Sequence, residues 1–323
     1  MKAMVCTRYG PPEVLELQEL EKPVPKADEV LIKVHASTVT AGDCEMRSFR
    51  FPIYLWIPLR LFFGVRRPRM KVLGQEFAGE IESVGSEQTL FKEGDRIFGS
   101  TELKLGAYAD FLCLPSSYAI TKMAKGLSFE EAASIPTGGM NALFFLRKAR
   151  IQAGQKVLII GAGGSIGTVA IQLAKNSGAR VTAIDTKEKL DMLLSIGADH
   201  VIDYRQEDFT ANGETYDVIF DVAGKSPFSK TINSLEPKGV YLMGNPSLRQ
   251  MFRRVLPGGK GDRKIIAGAA SYKAADLRYL NELLADGRIK PVIDRIFPLE
   301  ELSDAHRYVE SGAKKGNVVI SHQ

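Results

Sequence analysis

The sequence predicts an α/β protein of two domains, one a doubly wound parallel sheet with helices on both faces and the other rich in β-strands. Three observations carry this. The chain has 323 residues, and at about 100 to 200 residues per domain that is about two domains. The first 125 residues hold short β-like runs punctuated by Gly and Pro, and from Lys156 onward apolar strands alternate with helices.

Taken in order, Val30 to Ala36, Glu80 to Val84 and Arg96 to Phe98 read as strands of a barrel or sandwich. Ser128 and Glu131 have the spacing of a capping box that opens a helix limited by Pro136. The domain boundary is placed there, giving 1–127 completed by 268–323, and 128–267. Next come KVLII, a helix from about Ser165 to Gly178, RVTAI, KEKLDMLLSIG, HVI, DVIFDV and GVYLMG. Continuous apolar strands alternating with helices belong to a parallel sheet covered on both faces. Gly178 and Gly197 stand where helices end. The strand KIIAGA, a helix with Leu277, Leu280, Leu283 and Leu284 on one face, and a strand Asn317 to Ser321 close the chain. There is no internal repeat and no low-complexity tract.

Composition excludes several classes. With 45% apolar and 25% charged residues, 30 Gly and 15 Pro, the chain is neither disordered nor collagen-like. A net charge of +5, from 43 Lys and Arg against 38 Asp and Glu, is too mild and interspersed for a nucleic-acid footprint. Cys6, Cys44 and Cys113 form no CxxC pair, and no leader-like segment precedes the first strand, so a reducing cytoplasm is expected. The greasy stretch Phe51 to Phe63 is interrupted by Pro52, Pro58 and Arg60 and is shorter than the roughly 20 residues that span a bilayer.

The strongest local signal is the run from Lys156 to Gly167, a strand entering a glycine turn that opens a helix. Gly161, Gly164 and Gly167 provide the tight turn, the close approach of backbone to a pyrophosphate, and the helix-on-strand packing. The N–H groups of the turn and of Ser165 and Ile166, with the helix dipole, then face phosphates. Asp185 ends the next strand 24 residues after Gly161, close to the roughly 20-residue spacing of the acid that binds a ribose diol. Together these predict a Rossmann-type dinucleotide site. Asp185 favours NAD, whereas Lys187 and Lys189 suit a 2′-phosphate or simply form a solvated helix face, so NAD versus NADP stays open. Gly163 to Gly167 also matches the GxSxG elbow of hydrolases. That reading needs a downstream acid and histidine, and His200, His306 and His322 are each expected at the surface or partly buried.

Leu73-Gly-Gln-Glu-Phe-Ala-Gly-Glu-Ile, Phe91-Lys-Glu-Gly-Asp-Arg-Ile-Phe-Gly, Gly106-Ala-Tyr-Ala-Asp, Leu127-Ser-Phe-Glu-Glu-Ala-Ala and the glycine turn follow in that order. In this the chain resembles the medium-chain dehydrogenase/reductase superfamily, in its zinc-free quinone oxidoreductase (zeta-crystallin-like) branch, nearly end to end. The resemblance implies a GroES-like catalytic domain built from both chain ends, a nucleotide domain between them, and a homodimer. It also implies hydride transfer from NAD(P)H to a quinone, enone or similar lipophilic carbonyl compound. A zinc-free alcohol dehydrogenase and a nucleotide-binding protein without turnover are the alternatives.

Where zinc-bearing members have a Cys ligand this chain has Thr40, where they have Gly-His-Glu it has Gly74-Gln75-Glu76, and three scattered cysteines cannot fill a four-cysteine loop. No metal is expected. By the resemblance, Thr40 donates to the substrate, Asp43 orients it or caps the following helix, and Gln75 replaces a ligand or fills its place. Tyr54 is a remote acid candidate, and His35 falls out of phase with its strand and is expected to face solvent. Thr137 and Asn141, after the helix that crosses between domains, and Asn245, ending GVYLMG, are carried over as strand-end positions beside the ribose and nicotinamide. Tyr204 is carried over as stacking near the adenine phosphate, and Asn317 of the closing strand as a cofactor contact.

Residues 47–71 join Phe51, Tyr54, Trp56, Phe62 and Phe63 to Arg47, Arg50, Arg60, Arg66, Arg67, Arg69 and Lys71. The simplest reading is a lid over a hydrophobic substrate; a patch on an anionic membrane surface and a subunit contact are the others. A second basic, Gly-rich stretch, 249–264, is expected to be a loop near the same cleft.

Overall fold

The computed structural model describes residues 1–246 and 261–322, so most of the 249–264 stretch lies outside the described residues. It divides into two units: Met1–Thr137 with Tyr272–Ala285 and Pro291–Gln323, and Gly138–Ser271 with Asp286–Lys290. The division thus falls at 137/138 rather than 127/128. The helix opened by Ser128 packs on first-unit strands, so its cap does not mark the change of unit.

Unit 1 begins with an antiparallel ribbon of β1 (Lys2–Cys6) and β2 (Leu15–Glu19). There follow β3 (Glu29–Thr38), α1 (Ala41–Ser48), α2 (Trp56–Phe63), β4 (Glu76–Val84), β5 (Arg96–Ser100), β6 (Phe111–Pro115), β7 (Ile120–Lys122) and α3 (Phe129–Ala133). The capping box of α3 forms as its spacing predicts: Glu131 N donates to Ser128 Oγ at 3.1 Å and Ser128 N to Glu131 Oε2 at 2.9 Å. Next, α4 (Pro136–Ala149) starts at the proline that limits α3.

Unit 2 continues with β8 (Lys156–Ile160), α5 (Ser165–Asn176), β9 (Arg180–Asp185), α6 (Leu190–Ser195), β10 (His200–Asp203), β11 (Tyr216–Asp221), α7 (Phe228–Asn233), β12 (Leu235–Met243) and β13 (Lys264–Ala267). All its pairings are parallel, in the order β10-β9-β8-β11-β12-β13. That is the doubly wound order, with its reversal between β8 and β11, and the glycine turn leaves β8 at that point. The apolar runs are explained by burial on both faces: Val157, Leu158 and Ile159 are fully buried. Gly178 and Gly197 end their helices with positive φ (78° and 108°).

The chain then returns to unit 1 through α8 (Ala274–Ala285), β14 (Ile293–Pro298), α9 (Leu302–Glu310) and β15 (Asn317–Ser321). In α8 the four predicted leucines are the buried ones. Because β15 pairs with β3, Val319 opposite Thr38, the first-unit sheet is built from both chain ends, in the order β14-β15-β3-β4-β5-β7 with β6 also on β3.

Three sequence expectations are corrected here. Thr137 and Asn141 lie inside α4, not at strand ends. His35 is half-buried and stacks on Phe129 at 4.3 Å between centroids, because α3, which carries Phe129, packs on β3. His306 is fully buried: with Leu302, Ala305 and Val309 it lies on the inward stripe of α9 at i, i+3, i+4 and i+7 spacing.

Candidate functional site

In unit 2 the glycine turn connects β8 to α5. Gly161 has φ +77°, a conformation a side chain resists. A Cβ at Gly167 would stand 2.5 Å from the Ala162 backbone, so only glycine lets α5 pack there. At Gly164 the same Cβ would meet nothing nearer than the Gly161 carbonyl oxygen at 3.8 Å. That open face lies on the N-cap of α5, where no side chain supplies a cap. A helix start of this kind, followed by Ser165, Ile166 and Gly167 in its first turn, is where an anionic diphosphate is held.

Asp185, at the end of β9, turns back onto this loop. Its Oδ2 accepts from Gly163 N at 2.8 Å and its Oδ1 from Thr186 N at 2.9 Å. Lys189 Nζ stands 3.2 Å from the same Oδ1, and both side chains are buried. The two lysines therefore separate: Lys187 is the solvated one, and Lys189 is held over the glycine turn. Tyr204 follows β10, exposed, with its N–H on the Asp185 carbonyl at 3.3 Å. Asn245 follows β12, and its carbonyl leaves no room for a Cβ at Gly224. Gly224 N in turn donates to Asp221 Oδ1 at 2.7 Å. Asp221, fully buried at the end of β11 and also bonded by Tyr241 Oη at 3.1 Å, is a loop anchor that sequence reasoning passed over.

Unit 1 gathers a second set of polar groups. Thr40 is the N-cap of α1: its Oγ1 accepts from Asp43 N at 3.1 Å and donates to Asp43 Oδ2 at 2.6 Å, and Thr40 N donates to that same Oδ2 at 2.9 Å. The cap role of Asp43 is thus what the geometry displays, and the Thr40 proton goes to Asp43. Burial pushes the Asp43 carboxyl up to about 6 against the hydrogen bonds from Thr40. Gln75 lies over this helix start, its Nε2 2.9 Å from where a Gly42 Cβ would be. The Met46 sulfur at 4.0 Å is a weak partner for that amide.

Glu76, next in sequence, is the residue that the reading of the motif missed. It opens β4 beside the end of β3, fully buried, and takes hydrogen bonds from the Thr38 hydroxyl and from Thr137 N at 2.6 Å. Burial pushes its carboxyl up to about 7 against those bonds, and the charge of Asp43 adds to the rise. The signal was an acid heading the short apolar run Phe77-Ala78-Gly79 that opens β4.

The remaining candidates stand apart from both clusters. Asn317 is buried with its backbone N–H and side-chain amide both on the Val292 carbonyl, at 2.8 and 3.1 Å, which holds the start of β15. Tyr54 lies on the exposed segment 53–65. His306 accepts from Arg47 Nε at 3.3 Å and lies 3.4 Å from Cys44 Sγ, with burial holding it down at about 3. Being neutral and closed in, it is no base for the hydrolase reading. His322, at about 3 by burial, bonds Ser37 at 2.8 Å, and His200 is exposed on the far end of β10.

The donor chemistry at Thr40 and Gln75 does not fit zinc, which takes thiolate, imidazole or carboxylate. Among the described residues no group of three or more such ligands converges.

Residues 26–138 match the model of the alcohol dehydrogenase GroES-like domain, and 196–320 that of the zinc-binding dehydrogenase domain. The chain is 31% identical to the 2-methylene-furan-3-one reductase of Solanum lycopersicum, over 99% of this chain and 79% of that one. The chain belongs to the medium-chain dehydrogenase/reductase superfamily. Within that superfamily it is 29% identical to the quinone oxidoreductase of Homo sapiens, over 97% of this chain and 95% of the relative. The solved quinone oxidoreductase from Coxiella burnetii superposes with a TM-score of 0.88 at 29% identity, covering 100% of this chain and 99% of that one. A superfamily match described as zinc-binding and a donor set that zinc does not favour stand side by side in this chain.

Proposed function

We propose that this protein is a zinc-independent, NAD(P)H-dependent reductase of quinones or enones. The observation that carries the reading is the glycine turn, whose open face at Gly164 leaves room for a pyrophosphate against the α5 N-terminus. The names of its relatives support it, among them an NADPH-dependent alkenal/one oxidoreductase of Arabidopsis thaliana, 30% identical over 99% of this chain. A bound nicotinamide would supply the hydride, and the protein supplies orientation and electrostatics.

Gly161, Gly164 and Gly167 hold the diphosphate with the first-turn amides of Ser165 and Ile166. Asp185 holds Gly163 N and Lys189 together; a ribose diol bonds the carboxylate, and a 2′-phosphate draws Lys189 away from it. Tyr204 and Asn245, at the ends of β10 and β12, flank the nucleotide, and Thr137 and Asn141 on α4 serve its nicotinamide end. Without a metal, charge developing on the substrate oxygen needs hydrogen-bond donors. The weakly partnered amide of Gln75 is the donor offered; the Thr40 hydroxyl joins it only when Asp43, its carboxyl pushed up to about 6, takes up a proton and donates to Thr40 instead of accepting from it. Glu76, with its carboxyl pushed up to about 7, keeps a proton close by near neutral pH.

The test is titration of nicotinamide fluorescence with NADH and NADPH on metal-stripped protein, then a panel of small quinones and enones in the same cuvette. Binding followed by oxidation is expected. Binding without turnover of any acceptor would favour a nucleotide-binding role, and absence of binding would refute the assignment of the glycine turn. Oxidation of an alcohol with NAD, but no reduction of quinone or enone, would favour the alcohol dehydrogenase alternative.

A further inference from the structure

We propose that the segment 53–65 is a docking surface for an anionic lipid bilayer. Helix α2 and the 3-10 turn before it, Ile53–Leu55, contain no buried residue although they are almost wholly apolar. Ile53, Ile57 and Leu61, spaced by four, are 81%, 76% and 61% exposed, with Trp56 and Phe62 beside them. Leu55, Leu59 and Phe63, also spaced by four, are the half-buried face. An apolar stripe turned outward at helical spacing is the pattern of a helix lying in a membrane interface.

The stripe is held in place. Phe51 stacks on Phe63, Trp56 Nε1 donates to the Phe51 carbonyl at 2.8 Å, and Tyr9 Oη donates to the Gly64 carbonyl at 3.0 Å. Arg60 covers the Phe49 ring at 3.9 Å and donates to the Val65 carbonyl at 2.6 Å. Two of the basic residues in this region are thereby withdrawn from the surface: Arg60, and Arg47, which is fully buried on Glu310.

Charge selects the occupant. Arg50, Arg66, Arg67, Arg69 and Lys71 are exposed and form no ion pair among the described residues. No acidic residue occurs between Glu45 and Glu76. A second copy docking through the same patch about a two-fold axis would bring these five cations against five others. Anionic headgroups match the basic rim, and the acyl region matches the stripe. No described helix is long and apolar enough to cross a membrane, so the contact is peripheral. The inference is independent of the nucleotide reading, because none of these residues belongs to either polar cluster.

Trp56 is the chain's one tryptophan, so its fluorescence reports on this helix alone. The full-length protein is mixed with vesicles of phosphatidylcholine, with or without phosphatidylglycerol, and with brominated acyl chains as a depth probe. A blue shift and quenching by bromine on the anionic vesicles only are expected. Arg66→Glu/Arg67→Glu should weaken binding about tenfold or more, and Ile57→Ser/Leu61→Ser should abolish quenching; both pairs are exposed, so folding is not at issue. An unchanged spectrum on anionic vesicles overturns the proposal, as does salt-sensitive adsorption without quenching. So does a concentration-dependent blue shift without lipid accompanied by a doubled sedimenting mass, which would assign the stripe to a second copy. A blue shift on adding cofactor and quinone without vesicles would assign it to a lid, and equally overturns the proposal.

Discussion

The glycine turn of unit 2 and the buried polar groups of unit 1 both hold polar atoms in place, by opposite means. In the turn, residues 161–167 are contiguous, and Gly161, Gly164 and Gly167 each have their own reason to lack a side chain: a positive φ, an open face, a helix packed on backbone. In unit 1 the partners come from distant segments. Arg47 bonds Glu310 at 2.5 Å and the Gly10 carbonyl, while Glu76 bonds Thr38 and Thr137. A turn encoded locally can be altered one function at a time, whereas a cluster assembled over long range loses its balance when any member leaves.

The largest expected effect tests that second half. Arg47→Ala empties a fully buried position and leaves the Gly10 carbonyl and His306 without their partner, while Glu310 is returned to solvent; it should cost about 2–4 kcal/mol of stability in a urea titration. A loss below about 1 kcal/mol would mean that the cluster tolerates a missing member as an exposed pair does. Within the turn, Gly167→Val should cost about 3 kcal/mol, because its Cβ would meet Ala162 backbone that cannot yield. Gly164→Val has open space and should leave thermal stability nearly unchanged while weakening nucleotide binding about a hundredfold, roughly 2.7 kcal/mol. Equal effects of the two valines on folding would erase the separation of roles. Asp185→Ser frees Lys189 and should shift the NADPH to NADH affinity ratio upward by about tenfold; an unchanged ratio would show that the pair is structural only.

The smallest effect is on pH dependence. Glu76 has a folded value of about 7 against an ordinary 4.5, so the folded protein binds the extra proton between them. Its contribution to stability is therefore present below 4.5 and lost as pH rises through 7. Glu76→Gln can keep both the Thr137 and Thr38 hydrogen bonds, and should flatten the fall of Tm with pH across that window while changing Tm little at its acid end. An identical pH profile would place the titration elsewhere. Asp43, raised to about 6, contributes in the same direction between 3.8 and 6.

Legibility in the sequence followed the same contrast. The strand-to-helix alternation, the capping box of Ser128 and Glu131, the leucine face of α8, and the bounds of β15 were all readable, since each depends on neighbours within a few residues. So were the glycine turn and the place of Asp185. Thr40 and Asp43 could be read as a cap because a capping box is a spacing of three. The buried state of His306 was encoded too, in its place on the stripe of Leu302 and Val309, but a polar residue there was read against its neighbours rather than with them.

Sequence alone therefore determined the strand-and-helix alternation of unit 2, its parallel sheet and the glycine turn, because backbone propensity, capping and hydrophobic periodicity act over one or two turns of chain. Only the tertiary structure decided that Glu76 meets Thr38 and Thr137, that Lys189 and not Lys187 folds over the turn, and that Arg47 leaves the basic segment for Glu310. Arg47 and Glu310 are 263 residues apart. No local spacing records such a pairing; it is settled by which buried polar groups find partners once the strands and helices have packed.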